Sequence, residues 1–319
     1  MIDRNMSESD RTANDAVSER TGDSEPLVSP SWLSDRLTAV DSDDPDLRLV
    51  EVDLNTDFYD EGHVPGAVSL DWQEDLRHDR RRDVLSRDAL GELLGDLGIV
   101  PDTTVVVYGD NTNWFAAHFY WLLTYYGHDD VRLLDGGREH WIESGRPITT
   151  SVPDVSSRPY EPRGPYEDVR AYREDVDRAI DEQTTLVDVR LPAEYEGRLV
   201  APPGMDEYAQ RGGHVPSAVN VVWSANVAPS GRFKSREALA ELYHRHGVTD
   251  QDSVITYCRI GERSSLTWFV LSELLEYPSV MNYDGSWTEW GNMIGAPIET
   301  GTEVDEGEPA VPNPWRRLF

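Results

Sequence analysis

The chain is nearly without cysteine and lysine, with one of each, Cys258 and Lys234, among 319 residues. A single thiol excludes an intramolecular disulfide framework and a cysteine-based zinc cluster. It leaves Cys258 two uses, as a small buried hydrophobe or as a reactive group. Long apolar runs are also missing. The longest candidate, WFAAHFYWLLTYY at 114–126, falls short of the ~18 residues of a membrane span and reads as a buried helix. The first 24 residues are polar and acidic, lack the apolar centre of a signal peptide, and are expected to be disordered. A cytoplasmic location is the corresponding expectation. Positive charge is the last scarcity: 29 Lys plus Arg stand against 60 Asp plus Glu, a net charge of −31. Such a surface repels phosphate backbones, which argues against nucleic acid as a partner. The one basic cluster, RHDRRRD from Arg77 to Asp83, is expected to be a solvated loop. Acidic excess with almost no lysine resembles proteins of salt-accumulating halophiles, and stability is expected to rise as salt screens the like charges.

What is present is a duplication. LRLVEVD, FYDEGHVPGAVSLDW, TTVVVYGDNTNWFAAHFYWLL and VRLLDGGREHW follow one another in the first half. TTLVDVR, YAQRGGHVPSAVNVVW, DSVITYCRIGERSSLTWFVL and SVMNYDGSWTEW follow in the same order in the second. His63 thus corresponds to His214 and Trp141 to Trp290. Each repeat is large enough to own a core, so the chain divides into an acidic tail (1–24), a first domain (25–148), a proline-rich connector (149–166), a second domain (167–302) and a C-terminal tail (303–319). Trp315 and Phe319 in that tail are candidates to dock on the body. Within each repeat, short apolar runs (LVEV, VVVY, VRLL; TLVDV, VNVV, VITY, SVMN) alternate with helical patterns such as SRDALGELLGDLG and SREALAELYHRHG. This predicts an α/β fold with parallel sheets covered by helices on both faces.

Cys258 lies in YCRIGERSS, where a buried strand (SVITY) hands over to an amphipathic helix (SSLTWFVLSELL). That position favours the reactive use. Free cysteine, with a pKa of about 8.5, is only slightly ionised at neutral pH. Backbone N–H groups in a tight turn and a helix N-terminus both favour the thiolate. Ile260, Gly261, Glu262 and Ser264 are the candidates to supply that turn, with Gly261 permitting a conformation that a side chain would oppose.

Taken together, YDEGHVPGAVSL (Tyr59 to Leu70), VMNYDGSWTEW (Val280 to Trp290), the cysteine loop and the duplication resemble the tandem-domain rhodanese family, the thiosulfate sulfurtransferases. The resemblance covers about residues 25–300. It implies two rhodanese-like domains, with Cys258 of the second as the nucleophile that takes up sulfur as a persulfide, and no metal or organic cofactor. There are departures. Gly109 or Asp110 stands where the first repeat would carry a nucleophile, which implies a silent first domain. Arg138 replaces a tryptophan of the signature, and Ser217 replaces a glycine, harmless if its φ stays negative.

Thiosulfate is a dianion and needs cations. Arg190, after TLVDV, matches the family's substrate-binding arginine. Arg259 could reach substrate or solvent, and Arg263 could brace the loop by pairing with Asp188 or Glu262. His63 and His214 are expected to tie down their HVP turns, and Trp287 and Trp290 to pack. The implied activity is thiosulfate sulfurtransferase, with cyanide, a thiol or a protein as sulfur acceptor. The alternatives are 3-mercaptopyruvate sulfurtransferase, which Arg259 disfavours, and a non-catalytic sulfur carrier. A cysteine phosphatase is disfavoured because four residues, not five, separate Cys258 from Arg263.

Overall fold

The computed structural model describes residues 25–301 apart from 41–42, 79, 183 and 203–207, so the expectations for both tails lie outside the described residues. In the first repeat, β1 (Leu27–Val28), β2 (Leu47–Asp53), β3 (Ala67–Asp71), β4 (Thr104–Tyr108) and β5 (Val131–Leu134) form a sheet in the order β1-β5-β4-β2-β3. In the second, β6 (Thr184–Asp188), β7 (Val219–Asn220), β8 (Ser253–Tyr257) and β9 (Val280–Tyr283) form the order β7-β6-β8-β9. Every pairing is parallel. The α/β architecture read from the alternating runs is therefore present twice. β1 and β3 escaped that reading. The first is two residues long, and the second sits inside a motif whose alternating AVSLD pattern lacks a continuous apolar run.

The helices begin where the sequence supplies caps. Ser86 accepts from Ala89 N–H and Ser235 from Ala238 N–H, opening the helices Arg87–Asp96 and Arg236–Arg245. The connector lies along the first repeat, with Arg158 N–H bonded to the Gly95 carbonyl and Tyr166 N–H to that of Tyr125. A Cβ at Gly95 would fall 2.5 Å from the Arg158 oxygen, which explains a glycine inside a helix.

The repeats are joined by one apolar core. The helices Trp114–Tyr125 and Glu262–Phe269, each following a central strand, pack against one another. Tyr120 meets Phe269 at a ring separation of 4.9 Å, and Trp114 meets Trp223 at 5.1 Å. Polar loops cross the boundary in both directions. From the second repeat, Arg232 Nε and Phe233 N–H reach Asp135 at 2.7 and 2.9 Å. From the first, Asp83 reaches Arg170 at 2.7 Å, and Arg170 holds Asp284 at 2.9 Å. Arg82 donates to the carbonyls of Ile260 and Asp284 at 2.6 and 2.9 Å. The expectation that RHDRRRD is merely a solvated loop is thereby corrected: its last two residues are an interdomain contact.

Ser217 does not meet the condition under which it would be harmless. Its φ is +68°, in the left-handed region occupied by its counterpart Gly66 at +82°. A non-glycine residue there costs about 1–2 kcal/mol. Ser217→Gly is therefore expected to raise stability by up to about 1 kcal/mol, the loss of side-chain contacts and the greater freedom of the unfolded chain offsetting part of the relief. Thermal unfolding of the two proteins under identical salt checks it.

Candidate active site

β8 delivers Cys258 to the carboxyl end of the second sheet, and the following helix starts at Glu262 with Gly261 as its cap at φ +102°. A Cβ on Gly261 would meet Asp284 Cα at 2.8 Å, so both conformation and space require glycine. The turn folds back on the sulfur: Gly261 N–H donates to Cys258 Sγ at 3.1 Å. Behind the turn, Asn282 Nδ2 and the hydroxyls of Ser264 and Ser265 all donate to the Gly261 carbonyl, at 3.2, 3.1 and 2.7 Å. The neighbouring turn grips the other side. Ser286 Oγ accepts from Cys258 N–H at 3.1 Å, while Trp287 and Thr288 N–H groups bind the carbonyls of Cys258 and Arg259. Cys258 is fully enclosed.

Charged groups surround it. Glu262 Oε2 lies 3.5 Å from Sγ as a hydrogen-bond acceptor for the thiol. Arg259 is buried, which removes the solvated alternative for it, and its Nη2 lies 3.9 Å from Glu262. Arg263 is fully buried and pairs with Glu194 at 3.0 and 3.3 Å, with Glu262 farther away at 4.0 Å. The expected partner Asp188 is occupied elsewhere. Burial alone would loosen the Arg263 proton, but Glu194, and then Cys258, hold it above the ordinary arginine range. Burial pushes the Glu194 carboxyl up and Arg263 more than reverses that, leaving it below the usual range. Glu194 was missed from sequence because its helix, Pro192–Tyr195, is four residues long and its partner is 69 positions away.

Arg190 is also fully buried. Its Nη2 binds Asp188 at 2.5 Å and the Gly213 carbonyl at 2.7 Å, and its guanidinium stacks 4.4 Å from the Trp287 ring. Its Nη1 has no hydrogen-bond partner among the described residues. His214 accepts no chemical role here: it stacks on Tyr195 at 3.5 Å and bonds the Tyr195 carbonyl, as His63 does with Tyr59. Trp287 and Trp290 are fully buried packing residues whose N–H groups bind backbone carbonyls.

The first repeat shows the same place without a nucleophile. Tyr108 accepts from Val64 N–H at 3.1 Å as Tyr257 does from Val215 N–H, so Gly109, not Asp110, is the counterpart of Cys258. A Cβ at Gly109 would lie 2.2 Å from the Val52 carbonyl oxygen, so that position cannot take a side chain as it stands. Arg138 stands at the position of Trp287. Its guanidinium lies 3.2 Å from Glu51 and donates to the Gly62 carbonyl at 2.6 Å, the contacts that Arg190 makes with Asp188 and Gly213. A cation is thus kept in both copies but reached from different chain positions.

Asp110 sits among Glu51, Asp53, Glu139 and Arg138. Burial first, opposed by Arg138 and reinforced by Glu51 and Glu139, pushes its carboxyl up to about 6 from 3.8. A raised folded-state value contributes stability that is full below the unfolded value and is lost as pH rises through the folded one. Acidification from pH 7 towards 5 should therefore favour the fold at this site. Asp110→Asn is expected to raise Tm at pH 7.5 by roughly 2–4 °C, equivalent to about 1 kcal/mol, and to change little at pH 4. Melting curves of both proteins across that range test the sign.

A profile described as Rhodanese-like domain matches residues 29–144 and again 172–293. The chain belongs to the rhodanese family. Among its relatives, a "Putative thiosulfate sulfurtransferase" of Haloferax volcanii is 52% identical over 275 residues, spanning 86% of this chain and 96% of the relative. "Sulfur carrier protein TtuD" of Thermus thermophilus is 48% identical, spanning 88% and 98%. A solved structure, the anaerobic ergothioneine biosynthesis enzyme from Chlorobium limicola, superposes with a TM-score of 0.76 at 24% identity, covering 87% of this chain and 70% of that one, and supports the rhodanese fold. The candidate site of this rhodanese, around Cys258, lies in the second of its two matched copies.

Proposed function

We propose that the protein is a thiosulfate sulfurtransferase acting through a persulfide on Cys258. The observation that carries this reading is the Gly261 N–H aimed at the sulfur of the single cysteine at 3.1 Å. In the first step the thiol gives up its proton, with the Glu262 carboxylate positioned to accept it. The thiolate attacks the outer sulfur of thiosulfate. The S–S bond of the donor breaks and sulfite leaves with the electron pair, so that the enzyme holds Cys258–S–S⁻. In the second step cyanide or a thiol attacks the outer sulfur, and the enzyme thiolate departs.

The unpartnered Nη1 of Arg190 supports a role in holding the sulfonate end, while Arg263, closed by Glu194, is better suited to bracing the loop. Arg259, buried beside Glu262, offsets that carboxylate's disfavour for a thiolate. Enclosure of Cys258 shelters the persulfide from water, and the added S–S bond of about 2.05 Å carries the outer sulfur away from the buried Sγ. A sulfur-carrier reading draws on the Thermus thermophilus relative and differs in its acceptor, a protein rather than a small nucleophile.

Mass spectrometry of the protein after thiosulfate exposure is the test. One added sulfur on the Cys258 peptide, removed by cyanide with thiocyanate formed, is the expected result. No added sulfur refutes the reading, and a persulfide released to protein thiols but not to cyanide favours the carrier.

A further inference from the structure

The contact of Arg82 with the cysteine loop has a feature that general interdomain packing does not require. Its Nη2 donates at 2.6 Å to the carbonyl of Ile260. The N–H of Gly261, which donates to Cys258 Sγ at 3.1 Å, belongs to the same peptide unit. That peptide is trans, so its C=O and N–H point in opposite directions from a rigid plane. A guanidinium on one edge and the sulfur on the other lie in one hydrogen-bonded chain, from Arg82 through the peptide to Sγ.

Two physical consequences follow. A cation on the carbonyl polarises the peptide and strengthens the N–H as a donor, as hydrogen bonds in series do. The cation also fixes the direction of the plane. Gly261, at φ +102°, has the backbone freedom to let the 260–261 peptide turn over, which would aim a carbonyl oxygen at the sulfur instead. The second bond of Arg82, to the Asp284 carbonyl at 2.9 Å, ties this plane to the turn that carries Ser286. The other charged groups around the sulfur are Glu262, Arg259 and Arg263 on its own loop and helix, Glu194 behind Arg263, and Asp284 on the next turn.

We propose that Arg82, supplied by the first domain, is a positioning residue for the nucleophile of the second: it orients and polarises the Ile260–Gly261 peptide that stabilises the Cys258 thiolate and its persulfide. The first domain thus serves the reaction across the interface. This deepens the sulfurtransferase reading and rests on it for its catalytic meaning.

The test follows thiolate ultraviolet absorbance against pH in the full chain, with Cys258→Ser as the blank; no thiosulfate is needed. Arg82→Ala is expected to move the thiol titration up by about one pH unit, a tenfold change in the ionisation constant. Arg82→Lys should recover part of the shift, because it keeps a cation for the Ile260 carbonyl. Asp83→Asn serves as the control, since it weakens the 2.7 Å bond to Arg170 while leaving Arg82 in place. An unmoved titration in Arg82→Ala overturns the proposal, as does an equal shift in Asp83→Asn, which would make the effect one of domain docking. Should Arg82→Ala fail to fold, Arg82→Gln takes its place with a smaller upward shift expected and an unmoved titration again decisive against. Wild-type protein that never takes sulfur from thiosulfate would refute the sulfurtransferase reading while leaving this titration readable.

Discussion

Replacing Cys258 with serine is expected to abolish sulfite release from thiosulfate while leaving the fold intact. An alcohol has neither the acidity nor the sulfur chemistry to accept and return a sulfane sulfur, and the chain holds no second cysteine to substitute. The exchange of one atom also leaves the surroundings in place. Serine Oγ can still accept from Gly261 N–H, and the backbone bonds from Trp287 and to Ser286 do not involve the side chain. Sulfite production should fall at least about a thousandfold, the scale on which removal of a covalent nucleophile is felt. Tm should shift by no more than a few degrees, roughly 1 kcal/mol. Sulfite release and a melting curve on the same preparation check both halves, and turnover near that of the wild type would remove Cys258 from the reaction.

Cutting the chain at the connector is expected to damage both fold and activity. A fragment spanning 160–319 keeps the cysteine loop in sequence but loses the partner of its central helix. Trp223 loses Trp114, and Trp268 and Phe269 lose Tyr120, all members of one core cluster. Exposing these three, at about 1.5 kcal/mol for a large apolar side chain, costs up to about 4.5 kcal/mol. Domains of this size have only about 5–15 kcal/mol in all. Arg170 and Asp284 would lose Asp83 and Arg82, and the Ile260 carbonyl would lose its cation. The fragment should therefore be aggregation-prone or molten, with sulfur transfer reduced at least about a hundredfold. A soluble, cooperatively melting and fully active fragment would show that the first domain contributes nothing to the site.

The duplication, the parallel α/β organisation and the strand–loop–helix around Cys258 were legible in the sequence. Each is written in local order: buried strands as short apolar runs, helices as periodic patterns with serine caps, and the loop as consecutive residues ending in a glycine-capped helix. The roles of His63, His214, Trp287 and Trp290 as packing and tying groups were legible for the same reason, since each motif carries its own turn. Tertiary structure decided what stands around that loop. Arg82 lies 178 positions from Ile260 and Glu194 lies 69 from Arg263, and nothing local to either residue names its partner. Which of Gly109 and Asp110 matches Cys258 depends on a register fixed by pairing across the sheet, Glu51 with Tyr108 and Asp188 with Tyr257. The positive φ of Ser217 is likewise set by the turn into which its neighbours pack, against the preference of its own side chain. Sequence alone determined the elements and the loop that carries Cys258, because short-range geometry and periodicity encode them. The charges that stand around Cys258 come from packing, which brings distant segments together through a core shared by both repeats.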